Sequence, residues 1–436
     1  MEITVLTALT HGWEGRMVEV VDRLPGTVVG RRCVDLADLL AAASAGLGDV
    51  ALVSADLRGL DRDALAHLRS HGVGTVGASS DGEEADERRL RQLGVERHVH
   101  LATPPADLLR TLNAAAVAAS SEPAPGARGI DHDPVPRGDT LAEATVDAPG
   151  EPSERPLGRV IAVWGPTGAP GRTTLAVNLA SEIAAAGRPT VLIDLDTYGA
   201  AVAQVLSVLD EAPGLAAAAR ASELGTLDLT SLARLAVEVS PGFRVLTGIP
   251  TPGRWTEVRA AAVEQVLELA RSLAPFVVLD CGFGIEEDEE LSYDTAAPRR
   301  NATTLVALAE ADELLLVGSA DPVGLQRMVR AVQAVGEVPC PPPRPVVNRL
   351  RASSVGPDPR RRVGEALVRF AGVEGVTFLP DDPAAVDAAV LAGRTLAECA
   401  PDSELRQAVA DLAAVFTGVD AAPRRSSGRR WWGARP

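Results

Sequence analysis

Lysine is missing from this chain of 436 residues, and all 42 of its basic side chains are arginine. Cysteine is scarce as well, since only four occur, without a C-x-x-C pair or a neighbouring histidine cluster. This pattern gives no disulfide framework and no zinc motif, and it fits a reducing cytoplasm. The first residues lack the basic segment and apolar core of a signal peptide, and no apolar run is long enough to span a membrane. We therefore expect a cytoplasmic protein.

What the chain has in quantity is apolar and acidic residues. Apolar residues make up 46% of it, enough to fill the cores of two or three domains. The net charge of -17 argues against nucleic acid as a partner, because phosphate backbones are bound by clustered cations. In residues 419–436, however, arginines surround Trp431 and Trp432. This tail is either a disordered end or a peripheral contact with the inner face of the plasma membrane.

Residues 1–118 alternate short apolar strands with amphipathic helices five times, which predicts a doubly wound (βα)5 unit of the α/β class. The predicted strands are Ile3–Leu6, Thr27–Val29, Val50–Ser54, Gly74–Gly77 and His98–Leu101. The predicted helices are Gly15–Leu24, Leu36–Ala45, Arg62–His71, Glu84–Leu93 and Ala106–Ala119. This order, together with the stretch Asp49–Gly59, resembles a response-regulator receiver domain.

The chemistry of a receiver is missing from these residues. Ser54 stands at the phosphoacceptor position, Thr7–Thr10 supply no acid for Mg2+, and Thr103 stands at the lysine position. Asp56 comes two residues too late to replace the phosphoacceptor. The resemblance therefore implies a degenerate receiver-like domain that docks a protein partner.

Composition changes after this first unit. Residues 119–158 are rich in proline, glycine and acidic residues, which predicts a disordered linker. The strand and helix alternation resumes at Arg159 and continues to about Gly418. We expect a second α/β domain with a mostly parallel sheet over residues 159–418.

A glycine-rich stretch in the second domain reads W-G-P-T-G-A-P-G-R-T-T from Trp164 to Thr174. It lies between the apolar run Val160–Trp164 and a helical pattern over Leu175–Ala186. Glycines let backbone N–H groups converge on phosphate oxygens, a cation faces the β- and γ-phosphates, and a hydroxyl binds Mg2+. The sequence therefore predicts a phosphate-binding loop in which arginine replaces the usual lysine.

Carboxylates follow two further predicted strands. Val191–Leu195 carries Asp194 and is followed by Asp196, and Phe276–Leu279 is followed by Asp280. Parallel strands end at the same edge of a sheet, where open α/β folds bind ligands. Carboxylates at that edge either hold Mg2+ or orient an attacking water.

These pieces resemble the deviant-Walker ATPases of the MinD/ParA type. The matching stretches are P-T-G-A-P-G-R-T-T-L-A-V-N-L-A, V-L-I-D-L-D, F-V-V-L-D-C-G, V-V-N-R at Val346–Arg349, and F-L-P-D-D-P-A-A-V-D-A-A-V-L-A-G-R-T-L at Phe378–Leu396. Joined to a degenerate receiver, they look most like the CpaE/TadZ pilus-assembly branch, which includes proteins described as septum-site determinants. The resemblance implies an ATP-binding regulator that localises a pilus, secretion or septum apparatus.

The resemblance also implies a site for ATP and Mg2+. Thr173 and Asp280 would hold Mg2+, and Asp194 or Asp196 would position water. Asn348 and Pro380 would lie near the adenine. The residues that would surround the phosphates are Thr167, Gly168, Ala169, Pro170, Gly171, Arg172, Thr173 and Thr174.

Two departures from the family pattern bear on turnover and dimerisation. The family's signature lysine, which reaches across a nucleotide-sandwich homodimer, is replaced by Thr167. Arg172 is bulkier than lysine and less free to follow a migrating charge. Three alternatives stay open: a slow ATPase, a scaffold that does not hydrolyse nucleotide, and a DNA-partition ATPase.

Acidic residues run from Glu286 to Glu290, after the predicted strand Phe276–Leu279. Such a run is either a solvated loop or a nucleotide-sensitive partner surface. Arg299 and Arg300 either balance these acids or face phosphate.

Overall fold

The computed structural model describes residues 2–9, 13–79, 84–121, 157–168, 171–208, 213–286 and 299–419. The chain divides into two compact units, Met1–Leu157 and Gly158–Pro436. Most of the predicted linker and all of the tail except Val419 lie outside the described residues.

The first unit is a five-stranded parallel sheet with helices on both faces. Its strands are β1 (Ile3–Ala8), β2 (Thr27–Arg32), β3 (Val50–Ser54), β4 (Gly74–Ser79) and β5 (His98–His100). Its helices are α1 (Glu14–Asp22), α2 (Leu36–Ser44), α3 (Arg62–Ser70), α4 (Glu84–Gln92) and α5 (Pro105–Ser121). The strand order is β2-β1-β3-β4-β5, and every neighbouring pair is parallel. The predicted (βα)5 alternation is confirmed, while the receiver resemblance stays a prediction.

Local sequence explains most of these bounds. Every residue of β3 is buried, as expected for a central strand covered on both faces. Asp35 and Asp61 cap α2 and α3 by accepting hydrogen bonds from backbone N–H groups of the first turn. Helix α5 runs to Ser121, three residues into the predicted linker. The stretch A-A-A-V-A-A-S-S is rich in alanine, which has a high helix propensity and so extends the helix.

The second unit is an eight-stranded sheet that is parallel except at one edge. Its strands are β6 (Arg159–Trp164), β7 (Thr190–Leu195), β8 (Val237–Ser240), β9 (Phe243–Leu246), β10 (Phe276–Cys281), β11 (Glu313–Ser319), β12 (Pro343–Leu350) and β13 (Thr377–Pro380). The order is β13-β12-β11-β6-β10-β7-β9-β8, and only β8 and β9 pair in antiparallel fashion within the described part. The predicted α/β class and mostly parallel sheet are confirmed.

Helices cover both faces of this sheet. They are α6 (Arg172–Ala185), α7 (Val202–Val205), α8 (Gly214–Glu223), α9 (Leu229–Leu235), α10 (Ala260–Leu273), α11 (Ala302–Ala309), α12 (Pro322–Val335), α13 (Ala352–Val355), α14 (Pro359–Ala371), α15 (Pro383–Ala392), α16 (Leu396–Cys399) and α17 (Glu404–Thr417), with a 3-10 helix at Pro252–Glu257. Apolar residues of α8, α10, α12 and α14 fill the core on one face. Those of α6 and α17 fill the core on the other.

The sheet brings three loops together. β10 lies between β6 and β7, with Asp280 in register with Val163 on one side and with Asp194 on the other. The chain segments that leave these three strands therefore start at one edge. Across the described ranges, no helix has both the length and the apolar character needed to cross a membrane.

Candidate functional site

A left-handed turn separates β6 from α6. Gly168 has φ +66° and Gly171 has φ +94°, conformations that favour glycine. Gly171 caps α6, so the helix begins at Arg172 rather than at the predicted Leu175. Ala169 and Pro170, two of the predicted phosphate-binding residues, lie outside the described residues. The N-terminus of a 14-residue helix thus faces the loop, which is an arrangement that binds anions.

The Arg172 guanidinium is held inside the protein. Its Nη1 donates to the carbonyl oxygens of Gly165 at 3.0 Å and Pro166 at 3.3 Å. Its Nη2 lies 3.4 Å from Asp196 Oδ2, and both side chains are largely buried. Its Nε is buried with no hydrogen-bond partner among the described residues. The Nη1 and Nη2 groups are therefore engaged by the protein itself, while Nε is not.

Asp280 is a buried carboxylate without a cation or backbone N–H donor in the described structure. It is 1% exposed, and among the described residues no backbone N–H group or cation is hydrogen-bonded to its oxygens, while the Thr173 hydroxyl lies beside them. Burial raises the pKa of Asp280 well above its usual range, and the charge of Asp194 adds to this, while nearby Thr173 and Arg172 oppose it. An unsatisfied buried carboxylate of this kind is costly unless something binds it.

Asp194 and Asp196 are tied to the backbone that follows β7. Asp194 accepts from the N–H groups of Val202 at 3.0 Å and Asp196 at 3.2 Å. Burial raises the pKa of Asp194 to about 7, and the charge of Asp196 adds to it. Asp196 Oδ1 accepts from Tyr198 N at 2.8 Å and Gly199 N at 3.0 Å. Asp196 is the more exposed of the two, at 8% against 1%.

The residues present fit Mg2+. This ion prefers oxygen ligands and keeps several waters, so one carboxylate and one hydroxyl suffice as protein ligands. Asp280 offers two buried oxygens. Thr173 stands at the second position of α6 and is close enough to lower the pKa of Asp280.

A cavity of about 380 Å³ adjoins the loop. The predicted residues Gly171, Thr174, Asn348 and Pro380 all line it. Asn348 Nδ2 lies so close to the loop that a Cβ on Gly171 would approach it to 2.2 Å. The volume falls in the usual range for small-molecule sites. The structure therefore brings the predicted adenine-side residues to the same place as the loop.

Comparisons with known proteins found similar chains. No protein-family model matches the chain. An uncharacterized ATP-binding protein of Methanocaldococcus jannaschii is 22% identical over 261 residues, which cover 59% of this chain and 88% of that protein. The chromosome partitioning protein ParA of Myxococcus xanthus is 27% identical over 168 residues, 38% of this chain and 54% of that protein. Both are proteins of the kind that the motifs predict.

A solved structure is also similar. A ParA family ATPase from Chlorobium tepidum TLS matches with a TM-score of 0.49 and 19% identity, covering 58% of this chain and 98% of that one. The fold of the second unit is established independently by its strand order and by the loop between β6 and α6.

Sequence reasoning missed one cation beside the loop. Arg327, on α12, lies so close to Gly168 that a Cβ there would approach Arg327 Nη1 to 2.1 Å. No motif marks this residue, because it reaches the loop only through the packing of α12 beside β11. Thr167, at the signature-lysine position, is exposed next to the same glycine.

The acidic run predicted after β10 is described only at its first residue. Glu286 accepts from Asn301 Nδ2 at 2.8 Å through its carbonyl oxygen, and 287–290 lie outside the described residues. Arg300 lies over the Tyr198 ring, with its Cζ 4.0 Å from the ring centroid. Its Nε is buried without a hydrogen-bond partner in the described ranges. The structure thus places one of the two predicted arginines beside the segment that follows β7.

Proposed function

We propose that the second unit binds ATP with Mg2+ and that the chain is a positioning or assembly regulator of the MinD/ParA type. The observation that carries the proposal is the buried carboxylate of Asp280, which is paired with no cation or backbone N–H group among the described residues and stands beside the Thr173 hydroxyl at the start of α6. A divalent cation supplies what this carboxylate lacks. The ATP-binding relative of M. jannaschii supports the same conclusion.

Different residues bind different parts of the nucleotide. The loop from Thr167 to Thr174 takes the phosphates, Thr173 and Asp280 hold Mg2+, and the cavity beside Asn348 and Pro380 takes the base. Bound Mg2+ neutralises charge on the β- and γ-phosphate oxygens. The α6 N-terminus contributes further through its N–H groups and dipole.

Two arginines replace the missing lysines. Arg172 occupies the loop lysine position, and Arg327 lies beside Gly168, the residue that follows Thr167. Arg172 must leave Asp196 before its Nε and Nη2 groups can hold phosphate oxygens bidentately. Because this exchange has to precede hydrolysis, we expect turnover to be slow. Asp194 or Asp196 positions the attacking water.

A non-hydrolysing scaffold is the second candidate. The same contacts of Arg172 favour it, because a guanidinium held by Asp196 stabilises the nucleotide-free state. In this alternative, nucleotide binding orders the unit without hydrolysis.

The cellular role is proposed from the resemblance and from the two-unit organisation. The (βα)5 unit would dock a protein partner, and the second unit would form a homodimer whose contacts depend on nucleotide. The assembly would localise a pilus, secretion or septum apparatus in the cytoplasm, with the 419–436 tail contacting the inner face of the plasma membrane. The ParA relative keeps DNA partition as an alternative, against which the net charge of -17 argues.

Calorimetry on the full chain tests the proposal. We expect ATP–Mg2+ and ADP–Mg2+ to bind at micromolar concentrations, with at least about a tenfold loss in Asp280→Asn. Asp411→Asn, an exposed carboxylate on α17, is the matched control and retains wild-type binding. Phosphate release in the same samples separates a slow ATPase from a scaffold. The proposal is overturned if the wild-type chain does not bind ATP–Mg2+. Salt-dependent binding of DNA by the wild-type chain would favour a role in DNA partition instead.

A further inference from the structure

A cluster of side chains that could bind a metal ion lies in the first unit, which contains none of the residues proposed to bind nucleotide. One nitrogen each from His98 and His100 and one carboxylate oxygen of Glu87 all lie within 4.8 Å of one another. The two histidines are two apart on β5, so their side chains leave the same face of the sheet. Glu87 comes from α4, whose Leu90 packs in the core on the face opposite to that of Val99, and therefore on the face of the two histidines. The fold therefore joins donors that the sequence separates.

His98 has buried ring nitrogens that could bind a ligand. Both of its ring nitrogens are buried without a hydrogen-bond partner among the described residues. The ring packs against β4, where a Cβ on Gly77 would lie 3.0 Å from His98 Cδ2. Buried ring nitrogens are normally paired, so an unpaired lone pair here needs an explanation. A metal ion at the cluster provides one.

The two other donors are placed as metal ligands usually are. Ser79 Oγ lies 3.1 Å from His100 Nδ1, a contact of the type that fixes the ring orientation of ligating histidines. Glu87 pairs with Arg91 on the same helix, but the Arg91 side chain is 65% exposed. An exposed pair of this type contributes little free energy. A cation can therefore displace Arg91 from Glu87 at small cost.

The donor chemistry selects the class of metal. Two imidazole nitrogens and one carboxylate, with no thiolate, suit Zn2+ with a water as fourth ligand. Tetrahedral Zn2+ holds its ligand atoms about 3.4 Å apart, so small side-chain movements close this cluster around the ion. We propose that Glu87, His98 and His100 form a Zn2+ site that links α4 to the edge strand β5.

The test uses the full chain, stripped with EDTA and titrated with Zn2+ in excess Mg2+ so that oxygen-donor sites are occupied. One equivalent of Zn2+ is expected to bind, at least about tenfold more weakly in Glu87→Gln and in His100→Gln. Bound Zn2+ is also expected to raise the unfolding temperature of the wild type more than that of either variant. Co2+ absorption reports whether the coordination is tetrahedral.

The pair of His67 on α3 and His71, which caps that helix, supplies the matched control. Their ring centroids lie 4.3 Å apart, against 4.7 Å for His98 and His100, but they belong to no three-ligand cluster in the described residues. His67→Gln is expected to leave Zn2+ affinity unchanged. The proposal is overturned if His67→Gln loses as much Zn2+ affinity as the site variants do. It is also overturned if both site variants bind Zn2+ as tightly as the wild type, or if the wild type does not bind Zn2+. Circular dichroism in EDTA shows whether each variant is folded, and two independent variants guard against loss of folding in one.

Discussion

Arg172 Nη2 lies 3.4 Å from Asp196 Oδ2, so the cation of the loop is paired with the carboxylate that follows β7. A phosphate that binds Arg172 has to compete with this carboxylate. Asp196→Asn keeps the oxygen that accepts from Tyr198 and Gly199 and removes the competing charge. We expect ATP–Mg2+ to bind severalfold more tightly to this variant, and calorimetry measures it. If Asp196 also positions water, phosphate release falls while affinity rises. Weaker binding in Asp196→Asn contradicts the competition.

The loop glycines allow a prediction with an internal control. Gly168→Ala forces a side chain into a left-handed backbone and against Arg327. Gly187→Ala has the same backbone problem at φ +76°, but no atom lies within 4 Å of the added Cβ. Each variant is expected to lose about 1 kcal/mol of unfolding free energy in urea. Only Gly168→Ala is expected to lose nucleotide affinity, and an equal loss in Gly187→Ala is the contrary result.

Arg327 is expected to contribute to phosphate binding through its charge. Arg327→Gln removes the cation beside Gly168, and we predict a five- to tenfold weaker affinity for ATP, roughly the value of one partly exposed charged contact. Arg330→Gln removes an exposed charge one turn further along α12 and is the matched control. Titrations at two salt concentrations check that the effect is local. Equal losses in both variants would indicate a general change in charge instead.

Asp194 is expected to make a contribution to the stability of the metal-free protein that falls as pH rises. The pKa of Asp194 is raised from 3.8 to about 7, first by burial, so the folded state keeps a proton that the unfolded state releases. The contribution of Asp194 to the free energy of unfolding therefore decreases between about pH 4 and pH 7 and levels off above. Urea unfolding in EDTA of the wild type and of Asp194→Asn checks this. The difference between the two curves isolates the carboxylate, and parallel curves contradict the prediction.

Much of the fold follows from local patterns. β3 has the bounds that its five apolar or small residues predict, and the loop, Asp280 and the cavity-lining Asn348 were all identified by motif. The contacts of Arg327 with the loop could not be predicted, because they depend on how α12 packs beside β11. Glu87 and the histidines of β5 were missed for the same reason, since periodic spacing reports one element at a time. The pairing of Arg172 with Asp196 could not be predicted either, because it depends on the strand order and on the direction in which each side chain points.

A buried ion pair joins α6, which begins at the loop, to α17, which also lines the cavity. Arg406 on α17 donates from Nε and Nη2 to the two carboxylate oxygens of Glu182 on α6, at 2.6 and 2.8 Å. The Glu182 side chain is 6% exposed, so Arg406→Met leaves a buried charge without its partner. We expect a loss of about 3 kcal/mol in unfolding free energy.

Arg361→Met is the matched control for this pair. Arg361 also contacts two carboxylates, Asp358 and Glu365, but its side chain is 60% exposed. Its loss is expected to cost less than about 1 kcal/mol. The double variant Glu182→Leu with Arg406→Met is expected to recover part of the lost stability, because it removes the buried charge as well. Urea unfolding at pH 7 measures all three variants. Equal effects of Arg406→Met and Arg361→Met would mean that burial of the pair does not determine its contribution.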